Sequence, residues 1–211
     1  MYFYAYENRN LKRMRRILRQ DGNAGCYMLY GPTASGKTSF LRTVLKADSN
    51  AIFYEADIFV GLLYEAVREG IAEDMLKKIP DTNVLVIENV EEISGRYLTQ
   101  ENIKSVLRHW ISNGNQGRRN RKVILTTNQK RAVEMFSDLC CRIIKIEEIR
   151  MNPARIRRYC NAYGLHFTKT EWRELYARDN MKIVDFELRV RKLLLQKQTG
   201  GWSNESCYNE P

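Results

Sequence analysis

An α/β fold built on an open parallel sheet is predicted for this chain by three observations. Five short apolar runs alternate with helical patterns, a glycine-rich turn joins the first run to a helix, and beyond Asn152-Pro153 only helical periodicity remains. At 211 residues and 44% hydrophobic content, the chain can bury one sizeable core, whereas two full domains would both be small.

Near the N-terminus, Leu11, Met14, Ile17 and Leu18 form one apolar stripe, and Lys12, Arg13, Arg15, Arg16 and Arg19 occupy the rest of the helix. Such a helix either packs its stripe on the core or offers its cations to DNA, and packing is the stronger reading. The expected strands are CYMLY (26–30), AIFYE (51–55), VLVIE (84–88), KVILTT (122–127) and RIIKI (142–146). Each is a run of apolar and β-branched residues bounded by turn signals, as strands buried on both faces require. Helical patterns lie between them at about 37–46, 59–69, 99–113 and 130–136. Three further helices, about 153–163, 168–178 and 181–197, make a small lid. The expected division is a core over 1–150, the helical lid over 151–198 and a mobile tail over 199–211, with Gly200-Gly201 ending the last helix.

Composition narrows the functional classes. The net charge of +10 points to a polyanionic partner. The longest apolar stretches fall far short of the ~20 residues of a membrane span. Arg and Lys stand where a signal peptide would be apolar, so a soluble, cytoplasmic protein without membrane contact is expected. Five cysteines, none in a CxxC pair, and two histidines argue for free thiols rather than disulfides or zinc.

The chemistry centres on GPTASGKT. Gly31, Gly36, Lys37 and Thr38 satisfy G-x-x-x-x-G-K-[ST], with a strand before the loop and a helix after it. Glycines let successive backbone N–H groups curl around a phosphate, and the helix N-terminus adds a favourable field. The expected nucleotide contacts are Gly31, Pro32, Thr33, Ala34, Ser35, Gly36, Lys37, Thr38 and Ser39, with Lys37 on the outer phosphates and the Thr38 hydroxyl on magnesium.

VLVIEN supplies the second element: an apolar strand ending in Glu88, which would grip magnesium together with Thr38. Asn89 departs from what hydrolysis needs, because an amide cannot accept the proton of an attacking water. Glu91 or Glu92, in the following turn, could substitute. KVILTTN is the third element. It sets Thr126, Thr127 and Asn128 at the C-terminal edge of a strand, where open parallel sheets bind ligands, and Asn128 could orient a water against the terminal phosphate.

Taken together, these segments resemble the AAA+ ATPase superfamily, a P-loop NTPase group, and within it the nucleotide-binding domain of the bacterial replication initiator DnaA and the DnaC-type helicase loaders. GPTASGKTSF resembles Walker A, VLVIENVEEISG Walker B with its turn, and VILTTN sensor 1; SGRYLTQENIKSVLRHW and ENRNLKRMRRIL resemble initiator segments. The resemblance covers about residues 5–198. It implies strand order 5-1-4-3-2, a helical lid, and ATP or ADP with magnesium bound between core and lid. It also implies an arginine finger at the end of an L-x-x-R element, matched by Leu139-Cys140-Cys141-Arg142, so that Arg142 would reach a neighbouring subunit's nucleotide; the alternative is a surface arginine before a strand. The lid arginine that reads the terminal phosphate in the initiator falls on Val184 here, with Lys182 or Arg189 as possible compensation. The expected catalytic set is therefore Glu88, Asn89, Asn128 and Arg142, and hydrolysis is expected to be slow.

The functional expectation is an ATP-dependent oligomerising switch in DNA replication initiation or helicase loading, acting on single-stranded DNA, a replicative helicase or an initiator protein. The candidate DNA contacts are Arg96 and the basic loop Arg118, Arg119, Arg121 and Lys122, beside a helix carrying Lys104, Arg108 and His109. Such a loop is either a solvated surface or a phosphate track. Other readings are a degenerate P-loop scaffold for protein interactions and the ATPase helper of a transposition system.

Overall fold

The computed structural model describes residues 9–19, 24–45, 50–68, 79, 82–93, 97–116, 120–148, 150–176 and 181–200. The expected mobile tail lies outside them, apart from the end of the last helix. The chain divides into two compact units, residues 1–147 and residues 148–211.

In the first unit, helix α1 (Arg9–Arg19) precedes β1 (Gly25–Tyr30), α2 (Lys37–Leu45), β2 (Ala51–Glu55), α3 (Ala56–Arg68) and β3 (Val84–Glu88). A 3-10 helix (Val90–Ile93), α4 (Tyr97–Gln116), β4 (Lys122–Thr127), α5 (Lys130–Met135) and β5 (Cys140–Lys145) follow. The sheet runs β2-β3-β4-β1-β5, all neighbours parallel, which is 5-1-4-3-2 read from the other edge. Strands β2, β3 and β4 cover the residues their apolar runs predict. Strand β5 starts two residues early, so Arg142 lies within the strand rather than before it.

Alternation along each strand builds two cores, one on either face of the sheet. Cys26, Met28, Leu85, Ile87, Val123 and Leu125 face one way and pack with Phe59, Leu107, Trp110 and Phe136 from the helices. Tyr27, Leu29, Val84, Val86 and Ile124 face the other, against Met14, Ile17 and Leu18 of α1 and Phe40, Leu41 and Leu45 of α2. Met14, Ile17 and Leu18 of the apolar stripe of α1 are thus buried, as their spacing predicts, while Lys12, Arg13 and Arg16 stay exposed and the Leu11 side chain lies outside the described ones.

The second unit holds β6 (Arg150–Met151), α6 (Pro153–Ala162), α7 (Lys169–Tyr176), β7 (Met181–Lys182) and α8 (Ile183–Gly200). Helix α6 begins as the sequence predicts: Asn152 caps it through a hydrogen bond from Arg155 N, and Pro153 follows at the first helical position. The expectation of helices alone needs correcting, because β6 and β7 pair antiparallel through Arg150 with Lys182 and Met151 with Met181. Two-residue strands are too short to show a period-two pattern, so their sequence carries no strand signal. No described helix is long and apolar enough to cross a membrane. Among the described residues Cys26, Cys140, Cys141 and Cys160 are free thiols; Cys207 lies outside them.

Candidate functional site

The loop between β1 and α2 sits at the C-terminal edge of the sheet. Its backbone enters the left-handed region at Gly36 (φ 85°) and at Ala34 (φ 59°), where a β-carbon makes that conformation costly. Gly31 answers a different need, since a β-carbon there would collide with the Ile146 carbonyl oxygen. Gly31 N donates to Thr127 O at 3.1 Å and Ile146 N to Tyr30 O at 2.7 Å, which fix the loop's first residue between β4 and β5.

Lys37, only 9% exposed, folds back over this loop and donates to Gly31 O at 2.7 Å and Pro32 O at 2.9 Å. Burial lowers its pKa, and the nearby Glu91 carboxylate opposes that by favouring the ammonium. Thr38 is exposed at the start of α2, Ser39 is half-buried, and Pro32, Thr33 and Ala34 form the exposed rim. Asn128, just past β4, reaches the rim by donating Nδ2 to Thr33 Oγ1 at 3.1 Å.

Glu88 ends β3 and is 2% exposed. Its Oε2 accepts from Arg42 Nη2 at 3.3 Å, while Oε1 is buried and has no hydrogen-bond partner among the described residues. Asn89 turns the chain with φ 58°, donates its backbone N–H to Thr126 Oγ1 at 3.2 Å and its side-chain Nδ2 to Glu55 Oε2 at 2.9 Å. Three buried side-chain oxygens lack a hydrogen-bond partner among the described residues: Ser35 Oγ, Glu88 Oε1 and Glu91 Oε2. All three belong to the loop or to the end of β3 and its turn. Buried oxygens are otherwise paired in native proteins, so this concentration marks a place where an outside donor is expected.

A model of the ATPase family associated with various cellular activities (AAA) matches residues 27–151, more than half of the chain. The chain belongs to the AAA ATPase family. Comparison with curated protein sequences finds no match. Among solved structures, domain III of the Thermotoga maritima replication initiation protein DnaA is similar over 93% of this AAA chain and 88% of its own length (TM-score 0.67, 14% identity). AMPPCP-bound DnaA from Aquifex aeolicus is similar over 90% of this chain and 62% of its own (TM-score 0.61, 17% identity). A replication initiator DnaA bound to AMPPCP and single-stranded DNA is similar over 90% and 61% (TM-score 0.63, 18% identity). At these identities the likeness is one of fold, of the DnaA domain III type, and the chain spans about 60% of the longer initiator structures.

Within this AAA core the loop, Lys37, Thr38, Glu88 and Asn128 come together at one sheet edge, whereas other expected site residues do not join them. Arg142 is exposed on the edge strand β5, in register with Tyr27 of β1. Lys122 corrects the expectation of a basic loop: it is 4% exposed and donates Nζ to Leu18 O at 3.1 Å, because it opens β4 under the end of α1. Arg121 lies over the Trp110 ring, 4.9 Å from its centroid, and donates to Trp110 O at 3.1 Å. Lys104 is also buried and pairs with Asp138 at 3.0 Å, while Arg108 stays exposed and pairs with the same carboxylate at 2.6 Å. Arg96, Arg118 and Arg119 lie outside the described residues. In the second unit Val184 is exposed near the start of α8, Lys182 pairs with Glu148 at 2.9 Å, and Arg189 donates to Glu174 O at 3.0 Å.

Two site residues escape sequence reasoning. Glu55 ends β2 as Glu88 ends β3, and the two strands pair residue for residue. That shared strand-end acid was the available signal. Arg42, one turn into α2 from Thr38, had none, because a helix arginine aimed at a strand carboxylate looks like any surface cation.

Proposed function

We propose that the chain is an ATP-binding AAA+ protein of DNA replication initiation or helicase loading, a nucleotide-dependent switch that oligomerises on single-stranded DNA or on a replicative helicase. The observation that carries the nucleotide half of this reading is the set of buried oxygens around the Lys37 loop that have no partner among the described residues. The replication half rests on the DnaA-type fold and the net charge of +10.

Residues Gly31 to Ser39 would cradle the phosphates, with Lys37 leaving its own loop carbonyls for the outer phosphate oxygens. Thr38 and Glu88 fit a magnesium ion: Thr38 is exposed, and Glu88 offers a buried oxygen that lacks a donor among the described residues. Magnesium, when bound, supplies neutralisation of phosphate charge. Asn128 would orient the water, and Arg142, exposed on its edge strand, would serve a neighbouring subunit's nucleotide. With Asn89 committed to Glu55, position 89 offers no proton acceptor, which supports slow turnover. DNA contact falls to Arg96, Arg118 and Arg119, since Lys122 is buried and Lys104 and Arg108 are paired.

The test is sedimentation with and without ATP, together with a salt titration of binding to a labelled single-stranded oligonucleotide. ATP-dependent assembly and salt-sensitive DNA binding are expected. A protein that binds ATP yet stays monomeric and ignores single strands would instead be an interaction scaffold.

A further inference from the structure

Position 89 carries an amide where hydrolysis calls for a proton acceptor, and that amide is held at 2.9 Å by Glu55. The chain then folds at once into the 3-10 helix, with Glu92 N donating to Asn89 O at 3.0 Å and Val90 and Ile93 buried as its two anchors. The anchors leave Glu91 and Glu92 pointing into different surroundings. Glu92 is exposed, and partial burial together with the charges of Asp57, Glu55 and Glu91 pushes its carboxyl up. Glu91 is half-buried, and its Oε2 is sealed from solvent without a partner among the described residues. It also lies close enough to Lys37 to favour that ammonium.

We propose that Glu91 is the general base of this site, the carboxylate that takes the proton from the water attacking the terminal phosphate of ATP. This rests on the ATP-binding reading above. The water oxygen bonds to the γ-phosphorus as the bond from that phosphorus to the β–γ bridging oxygen breaks. Glu91 takes the water's proton and returns it to solvent when ADP and inorganic phosphate leave. The other acids are placed for different work. Glu88 sits at the metal position, Glu55 holds Asn89, and the strand order sets β2 three places from the loop strand β1. Glu91 needs no reach across the sheet, because the 3-10 helix packs on β4, which is β1's neighbour.

The experiment uses the full chain and Glu91→Gln, and measures phosphate release, ATP affinity by calorimetry, and whether the nucleotide retained after incubation with magnesium and ATP is ATP or ADP. Turnover is expected to fall about 100-fold or more, as for loss of a general base. ATP affinity should hold within about twofold, as for a group acting only in the transition state. Retained nucleotide should shift from ADP to ATP, and the acid limb of the pH–rate profile should disappear. Glu92→Gln should behave like the parent. Should Glu91→Gln not fold, Glu91→Asp carries the test, with reduced turnover and unchanged ATP affinity expected. The assignment is overturned by Glu91→Gln turnover near the parent's, by an equal loss in Glu92→Gln, or by a parent that binds ATP and never cleaves it. A parent that binds no ATP removes the nucleotide reading itself, which is a distinct result.

Discussion

The two ends of the parallel sheet each bury a lysine and use it differently. At the N-terminal end Lys122 donates to Leu18 O, Lys122 N to Asn83 O at 2.8 Å, Gly25 N to Arg121 O at 3.1 Å, and Thr82 bonds the Asn50 carbonyl. These polar groups close on the chain itself. At the C-terminal end Lys37 also finds carbonyls, those of Gly31 and Pro32, but Ser35, Glu88 and Glu91 each keep a buried oxygen without a partner among the described residues, and Ala34 and Asn89 hold positive φ. The named groups at one end serve the fold, while the acceptor oxygens and positive φ at the other are held as ligand sites hold them. The same residue type therefore has opposite meanings 85 positions apart.

The comparison is best broken at Lys37. Lys37→Ala should lower ATP affinity by about 100-fold or more, the worth of a charge-assisted contact to phosphate. Its thermal stability without nucleotide should fall less than that of Lys122→Ala, because relief of the buried ammonium offsets the loss of the Gly31 and Pro32 carbonyl contacts; a larger drop would place Lys37 with the structural end. Gly31→Ala, which pushes a methyl into the Ile146 carbonyl, should cost about 1–3 kcal/mol in denaturant unfolding and weaken ATP binding as well. Lys122→Ala should show the converse of Lys37→Ala. It leaves Leu18 O without its donor and should cost about 1–3 kcal/mol of stability, with ATP affinity and the salt dependence of DNA binding unchanged.

The smallest effect concerns Asp138. Burial alone would raise its carboxyl, but the Lys104 hydrogen bond and charge, with Arg108, hold it below the usual carboxylate range. A lowered folded-state pKa contributes stability that is present above the ordinary carboxylate pKa and lost as pH falls through the lowered value. With the Asp138 side chain half-exposed, screening keeps that contribution below about 1 kcal/mol. Asp138→Asn should accordingly flatten the acid limb of stability against pH slightly and leave the neutral plateau within that margin.

Much of the fold was legible because it depends on local rules. Apolar runs bounded by turn residues place β2, β3 and β4, and the 3.6-residue stripe of Met14, Ile17 and Leu18 predicts the buried face of α1. The loop was legible for the same reason, since its glycines, its lysine and its flanking strand and helix are consecutive in the chain. The pairing of β6 with β7 was not, because its two halves lie about thirty residues apart and neither is long enough to carry a pattern.

By itself, then, the amino-acid sequence determined the alternation of strands and helices, the phosphate loop and the acid at the end of β3, all properties of contiguous residues. Only the tertiary structure decided that Lys122 faces Leu18 rather than a ligand, that Asn89 is tied to Glu55, that Asp138 pairs with Lys104 and Arg108, and that the Glu91 charge acts on Lys37. The physical reason is common to all four. A charged side chain's role depends on which partner lies within hydrogen-bonding or Coulombic reach, and those partners are brought close by strand order and helix packing rather than by neighbourhood in the chain.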